Sequence, residues 1–158
     1  MKKLDKIIEN LYLKQPGNLA YYDSLTGVKN RTYYDREIRP TYCVKECYVT
    51  YVDVDNLKSV NDRFGHSAGD ELIISVARQL KGLGANEVCR IGGDEFVLMS
   101  EQNIVNDIEK LKGASFGIYK KSKYEDISSG VAKADKACRR RKQPSISYDL
   151  RRVKHDTY

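Results

Sequence analysis

The sequence predicts an α+β domain with a central, mostly antiparallel sheet and helices on one side. Two observations carry that class. Periodic segments follow the order helix, strand, helices, hairpin, helix, strand, helix. The segments also differ sharply in kind. Cys47–Val54 (CYVTYVDV) is a β-branched and aromatic run, whereas Ile73, Val76, Ala77 and Leu80 form a stripe at helical spacing. The order is compatible with a ferredoxin-like, polymerase-palm arrangement, though spacing alone does not single it out.

Lys2–Leu13 reads as an amphipathic helix through Leu4, Ile7, Ile8 and Leu11, and Gln15-Pro16-Gly17-Asn18 ends it. A second helix starts near Asn30 and stops before Pro40. Cys47–Val54 is a buried strand that delivers Asp53 and Asp55 at its end. A short helix around Leu57–Arg63 breaks at Phe64-Gly65-His66, and Asp70 opens the longer helix closed by Gly82-Leu83-Gly84. Glu87–Ile91 and Phe96–Met99 are strands joined by Gly92-Gly93-Asp94-Glu95, a hairpin signal. Ile104–Lys112 reads as helix and Ala114–Tyr119 as strand. Ile127–Arg141 reads as a helix with Ile127, Val131, Ala134 and Cys138 inward.

The 158 residues suit one domain with one sizeable core, and 41% hydrophobic with 32% charged residues suits a soluble globular chain. No apolar run approaches the roughly 20 residues that span a bilayer. The N-terminus is basic, but acids interrupt its apolar stretch and no small-residue cleavage site follows. A cytoplasmic protein with no membrane partner is therefore expected. Cys43, Cys47, Cys89 and Cys138 show one CxxxC and no second pair, so buried or idle thiols are expected rather than a zinc site. The net charge of +6 is C-terminal: residues 136–158 hold eight Lys/Arg against two Asp, leaving the first 135 residues neutral. Such a tail meets phosphates, nucleic acid or an acidic partner, or is simply a solvated end. Without a binding motif or interleaved aromatic residues, nucleic acid is not the expected partner.

Two carboxylate clusters stand at strand ends, Asp53/Asp55 and Asp94/Glu95. Hard oxygen donors of this kind suit Mg²⁺, which takes a few carboxylates and completes its shell with phosphate and water. If the first strand lies beside the hairpin, Asp53 and Asp94 converge on one or two ions. The bland alternative is a set of exposed turn acids, because Gly-Gly-Asp is good turn chemistry. Gly92 and Gly93 also admit close backbone approach to a ligand. Residue types alone leave both readings open.

Four longer motifs then align in order. Asp23–Arg31 (DSLTGVKNR) resembles the DxLTGLxNR opening of GGDEF-domain diguanylate cyclases. Asp53–Asp62 (DVDNLKSVND) resembles their DIDxFKxxND segment, Gly65–Asp70 (GHSAGD) matches GHxxGD, and Arg90–Phe96 (RIGGDEF) carries the signature itself. The resemblance covers about residues 20–142. It implies catalytic roles for Asp53, Asp94 and Glu95, with Asp53, Asp94 and the Val54 carbonyl holding Mg²⁺ or, alternatively, Mn²⁺. It implies that Asn61 and Asp70 read guanine, which suits a carboxylate accepting from N1–H and N2–H₂. Lys58 and the amides around Asn56 and Leu57 are implied to hold phosphates, with Gly92 and Gly93 close to the substrate. Ala134–Lys142 (ADKACRRRK) resembles the family's ADxALYxAK helix, and Lys142 matches its triphosphate-contacting lysine. The implied domains are a lead-in at 1–19, the GGDEF domain at 20–143 and a basic tail at 144–158.

The chain departs from the pattern in four places. Asn56 and Leu57 replace the usual residues of the DIDxFK segment. Leu83-Gly84-Ala85-Asn86 replaces the RxxD product-inhibition motif. Gln143-Pro144-Ser145-Ile146 lacks the arginine expected after Lys142. The stretch between the signature and the final helix is also short, and the short lead-in leads us to expect no sensory domain. The family's chemistry implies GTP as substrate, cyclic di-GMP as product and a homodimer for turnover. A GTP- or dinucleotide-binding module without turnover is the alternative from another class. A cyclase with another purine dinucleotide product ranks third, because Asp70 argues for guanine.

Overall fold

A computed structural model describes residues 20–142. The Lys2–Leu13 helix and the tail from residue 143 lie outside the described residues. Four antiparallel strands form one sheet: β1 (Cys47–Val54), β2 (Glu87–Arg90), β3 (Glu95–Ser100) and β4 (Ala114–Lys121). Their order is β2-β3-β1-β4. β1 is thus central, with Asp53 opposite Glu95 on one side and Ser115 on the other.

The helical elements begin with α1, a continuous segment of α-helical Arg31–Tyr33, π-helical Tyr34–Ile38 and α-helical Arg39–Tyr42. The others are α2 (Leu57–Phe64), α3 (His66–Lys81), α4 (Val105–Ile108) and α5 (Ile127–Lys142). They cover both faces of the sheet, not one as the sequence reading expected. The reason is visible in β1, where Val49, Thr50, Tyr51 and Val52 are all buried, so neither face of its centre meets water. Val52, Val54, Phe96 and Leu98 pack with Ile73, Val76 and Leu80 of α3, with Ile104 just before α4 and with Ile108 within it. On the opposite face Val49, Tyr51, Val97 and Met99 pack with Tyr34 and Ile38 of α1 and with Ile127, Ala134 and Cys138 of α5. Each fully buried aliphatic or Phe side chain contributes about 1.5–3 kcal/mol relative to exposure. Cys47, Cys89 and Cys138 belong to this second cluster as free, buried thiols.

Three helix boundaries differ from the sequence reading by more than a residue or two. The second helix runs through Pro40 to Tyr42, because the π turn before it shifts the hydrogen-bond ladder; Arg39 N–H reaches Tyr34 O. The long helix begins at His66, since Gly65 at φ +88° makes the break in one residue and α3 follows at once. The helix expected over Ile104–Lys112 is only Val105–Ile108. Lys110 and Leu111 close with i→i−3 bonds to Asp107 and Ile108, and Gly113 at φ +81° turns the chain into β4.

Candidate active site

The end of β1 is where the acids meet. β1 pairs with β3, and Val54 N–H donates to Asp94 O at 2.9 Å, which pins the hairpin turn to the strand carrying Asp53. Asp53, Asp94 and Glu95 are half-buried. Burial pushes the Asp53 carboxyl above the usual carboxylate range; Lys142 pulls it down, and Asp94 and Glu95 push it up again. Two negative neighbours in a partly desolvated pocket create a demand for positive charge.

Lys142, at the end of α5, answers part of that demand. Its Nζ lies 3.0 Å from Asp53 Oδ2 and 3.3 Å from Asp55 Oδ1. Burial works against this ammonium, but the two carboxylates outweigh it and hold its pKa above the ordinary lysine value. Ser115 Oγ donates to Asp55 Oδ1 at 2.8 Å and fixes that carboxylate. A cation therefore already sits on Asp53, and the hard oxygen donors of Asp53, Asp94 and the adjoining backbone fit a divalent ion. No group of three or more His, Cys, Asp or Glu side chains gathers in ligating geometry among the described residues, so phosphate and water would complete the shell.

Glu95 is held differently. Tyr51 O–H donates to Glu95 Oε1 at 2.5 Å, and burial together with that carboxylate raises the phenol's pKa. Glu95 Oε2 lies against Gly92, where an added Cβ would overlap it, so Gly92 makes room for the acid as well as the turn. The sequence reading missed Tyr51, because it looked like one more apolar strand residue.

Asp23 and Arg90 were likewise read only as motif letters. Arg90 Nη1 bonds both Asp23 oxygens at 3.1 and 3.0 Å, while Nε and Nη2 reach Gly93 O at 3.2 and 2.6 Å. Burial opposes the Asp23 charge, but the Thr26 hydroxyl and N–H and then Arg90 outweigh it and hold its pKa below the usual range. The opening motif thereby clamps the Gly92-Gly93 turn from behind.

The other predicted residues gather at α2 and α3. Asn56 stands at φ +57°, a left-handed position that Asn tolerates better than most side chains, and turns the chain into α2. Leu57 packs under the sheet, and exposed Lys58 lines an open groove with Asn56, Ser59, Asp62 and Arg63. Asn61 lies against Gly69 of α3, where a Cβ would overlap its Oδ1, one residue before exposed Asp70. That Oδ1 is buried and unpaired among the described residues. Asp53, Asp94, Glu95 and Lys142 are thus brought together, while Asn61 and Asp70 form a separate elbow beyond Asn56.

Comparison with known proteins matches this arrangement. The family described as diguanylate cyclase, GGDEF domain, matches residues 20–113. The chain is 36% identical over 100 residues to the diguanylate cyclase DgcP of Escherichia coli (strain K12), covering 59% of this chain and 29% of that protein. It is 28% identical over 143 residues to the diguanylate cyclase VdcA of Vibrio cholerae serotype O1, covering 73% of this chain and 42% of that one. This chain therefore spans less than half the length of either relative. The fold matches the coiled coil and GGDEF domain of DgcB from Caulobacter crescentus, solved with c-di-GMP, at a TM-score of 0.72 and 22% identity over 89% of both chains. With a family match over more than half of its length, and with the signature acids at the paired ends of β1 and β3, the chain belongs to the GGDEF-domain family.

Proposed function

We propose that this chain is a diguanylate cyclase domain, extending over residues 20–143, that condenses two GTP molecules into cyclic di-GMP. The observation that carries the reading is the seating of Asp53 beside Asp94 and Glu95 in the β1–β3 register, under a lysine cation. Asp53, Asp94 and the Val54 carbonyl would hold Mg²⁺ or Mn²⁺. The ion would supply charge neutralisation at the transferred phosphate and a lowered pKa at the attacking hydroxyl. Asn61 and Asp70 read the guanine edge, Asn56, Leu57 and Lys58 hold phosphate oxygens, and Gly92 and Gly93 leave room for the nucleotide. Lys142 moves from Asp53 and Asp55 to the triphosphate when GTP enters.

In each half-reaction the 3′-oxygen of one GTP forms a bond to the α-phosphorus of the other. The bond from that phosphorus to the bridging oxygen breaks, pyrophosphate leaves with the electron pair, and Glu95, oriented by Tyr51, receives the hydroxyl proton. Two such steps close the ring, and each requires a second domain bearing the other GTP. A guanine-nucleotide-binding module without turnover is the second reading, favoured by Gln143-Pro144-Ser145-Ile146, which lacks the arginine the family carries shortly after Lys142.

The test is incubation of the purified chain with Mg²⁺ or Mn²⁺ and GTP, ATP or both, with products identified by mass spectrometry. Cyclic di-GMP from GTP alone supports the cyclase. A mixed purine product would overturn the roles given to Asn61 and Asp70, and GTP binding without product would favour the module.

A further inference from the structure

The strand register brings Glu95 close enough to Asp53 for the two to share a cation. Val54 N–H donates to Asp94 O, so Val54 and Asp94 form a hydrogen-bonded pair of the β1–β3 ladder. Asp53 and Glu95, the next pair along, are then non-hydrogen-bonded partners. Opposed side chains approach most closely in such a pair, with Cα atoms about 4.5 Å apart. Like charges directly opposite one another repel, and a divalent cation is the natural relief if both carboxylates are free to turn toward it.

Glu95 is not free. Tyr51 stands two residues before Asp53, on the same face of β1. It pairs with Val97, which makes Glu95 its diagonal neighbour across the strands, within reach of an aromatic side chain. The tyrosine is 6% exposed, and its O–H donates to Glu95 Oε1. A buried phenol requires a partner, and a carboxylate is a strong one. The other oxygen, Oε2, lies against Gly92 of the hairpin turn. With both oxygens so placed, Glu95 does not gather with Asp53 and Asp94 into a ligating cluster among the described residues. The apolar packing of β1 does not need the hydroxyl, since Val49 and Val52 beside Tyr51 are fully buried without a polar side-chain atom.

We infer that Tyr51 is a positioning residue that holds Glu95 outside the shell of the divalent ion. The ion is left to Asp53, Asp94 and the Val54 carbonyl, and Glu95 is left to the attacking hydroxyl. The inference deepens the cyclase reading and rests on its metal site.

The test is titration of the full 158-residue chain with Mn²⁺ alone, followed by electron paramagnetic resonance, with circular dichroism confirming that each variant is folded. Tyr51→Phe fills the same space without holding Glu95. It is expected to bind Mn²⁺ roughly 10-fold more tightly than the parent chain, because a released carboxylate adds ligand charge. Adding Glu95→Gln to Tyr51→Phe should abolish that gain. In turnover of GTP with Mg²⁺, Tyr51→Phe should lower kcat roughly 10-fold and leave KM within about twofold, the pattern of a group needed in the transition state rather than for binding. Tyr34→Phe, which removes another buried phenol of the same core cluster, should match the parent in both measurements. Mn²⁺ affinity of Tyr51→Phe within twofold of the parent would overturn the inference. So would a gain that survives Glu95→Gln, because Glu95 would then not be its source. Parental Mn²⁺ binding that Asp53→Ala abolishes keeps the metal site of the proposed function standing in either case. A parent chain that binds no Mn²⁺ would overturn that site and this inference together.

Discussion

Asp53 occupies a position where an ionised carboxyl is costly, half-buried and facing two other acids, and Lys142 offsets only part of that cost. A residue so placed is replaced with little harm to stability but great harm to charge control. Asp53→Ala and Asp94→Ala are each expected to lower cyclic di-GMP formation roughly a thousandfold, several kcal/mol of transition-state stabilisation, with the fold intact by circular dichroism. Near-parental turnover in either would remove the assigned roles. Asp23 shows the opposite balance, since Thr26 and Arg90 stabilise its charge and depress its folded pKa. Stability from a depressed carboxylate is fully present above its unfolded pKa and disappears as pH falls through the folded one. Asp23→Asn should therefore cost about 1–2 kcal/mol at pH 7, after discounting for partial exposure, and progressively less as falling pH protonates the Asp23 carboxyl. Denaturant titrations at pH 7 and near pH 2 check this, and a constant difference would contradict it. The acids themselves were legible in the sequence, because charge at the tip of an apolar strand is conspicuous. Their holders were not. Tyr51 and Glu95 are 44 positions apart and Arg90 and Asp23 are 67 apart, and no local pattern announces such pairs.

Elements were legible where one face is periodic and less so where a single residue decides. β1 follows from its continuous β-branched and aromatic run and α3 from its stripe, whereas α4 was overdrawn because apolar spacing continues to Leu111, past Ile108 where the helix gives way to i→i−3 turns. Gly117 sets the seat of α5: a Cβ there would overlap Ala134 O and Cys138 N, so the helix backbone lies directly on β4. Gly117→Ala is expected to lift α5, destabilise the fold by about 1–3 kcal/mol, and weaken GTP binding by displacing Lys142. Thermal melts together with nucleotide titration test it, and unchanged GTP affinity would mean that the helix end is not coupled to its seat. The turn after α3 makes a different point. Leu83, Gly84 and Asn86 line a cavity with Glu101, Asn103 and Asp107, and among the described residues no cation lines it. Such a lining repels phosphate, so added cyclic di-GMP should produce no noncompetitive inhibition. Inhibition of that kind in steady-state kinetics would show a site that Leu83–Asn86 does not explain.

At the scale of the whole molecule, the described residues hold one set of acids at the end of β1 and one elbow of Asn61 and Asp70. Closing a ring from two GTP molecules requires each 3′-hydroxyl to meet the other's α-phosphate, so the proposed chemistry needs two such sites face to face. The acidic ends approach one another only if cations intervene; Lys142 sits on Asp53, and the metal ions of the proposed site would add the rest. Substrate should therefore favour pairing, and turnover at low protein concentration should be second order in protein. The specific activity of this chain is expected to rise in proportion to its concentration, flattening once sedimentation shows dimers, and GTP should shift that point to lower concentration. A specific activity that stays constant down to concentrations where the chain sediments as a monomer would mean that one domain completes the ring by itself. That outcome would overturn the dimer requirement while leaving the roles of Asp53 and Asp94 standing.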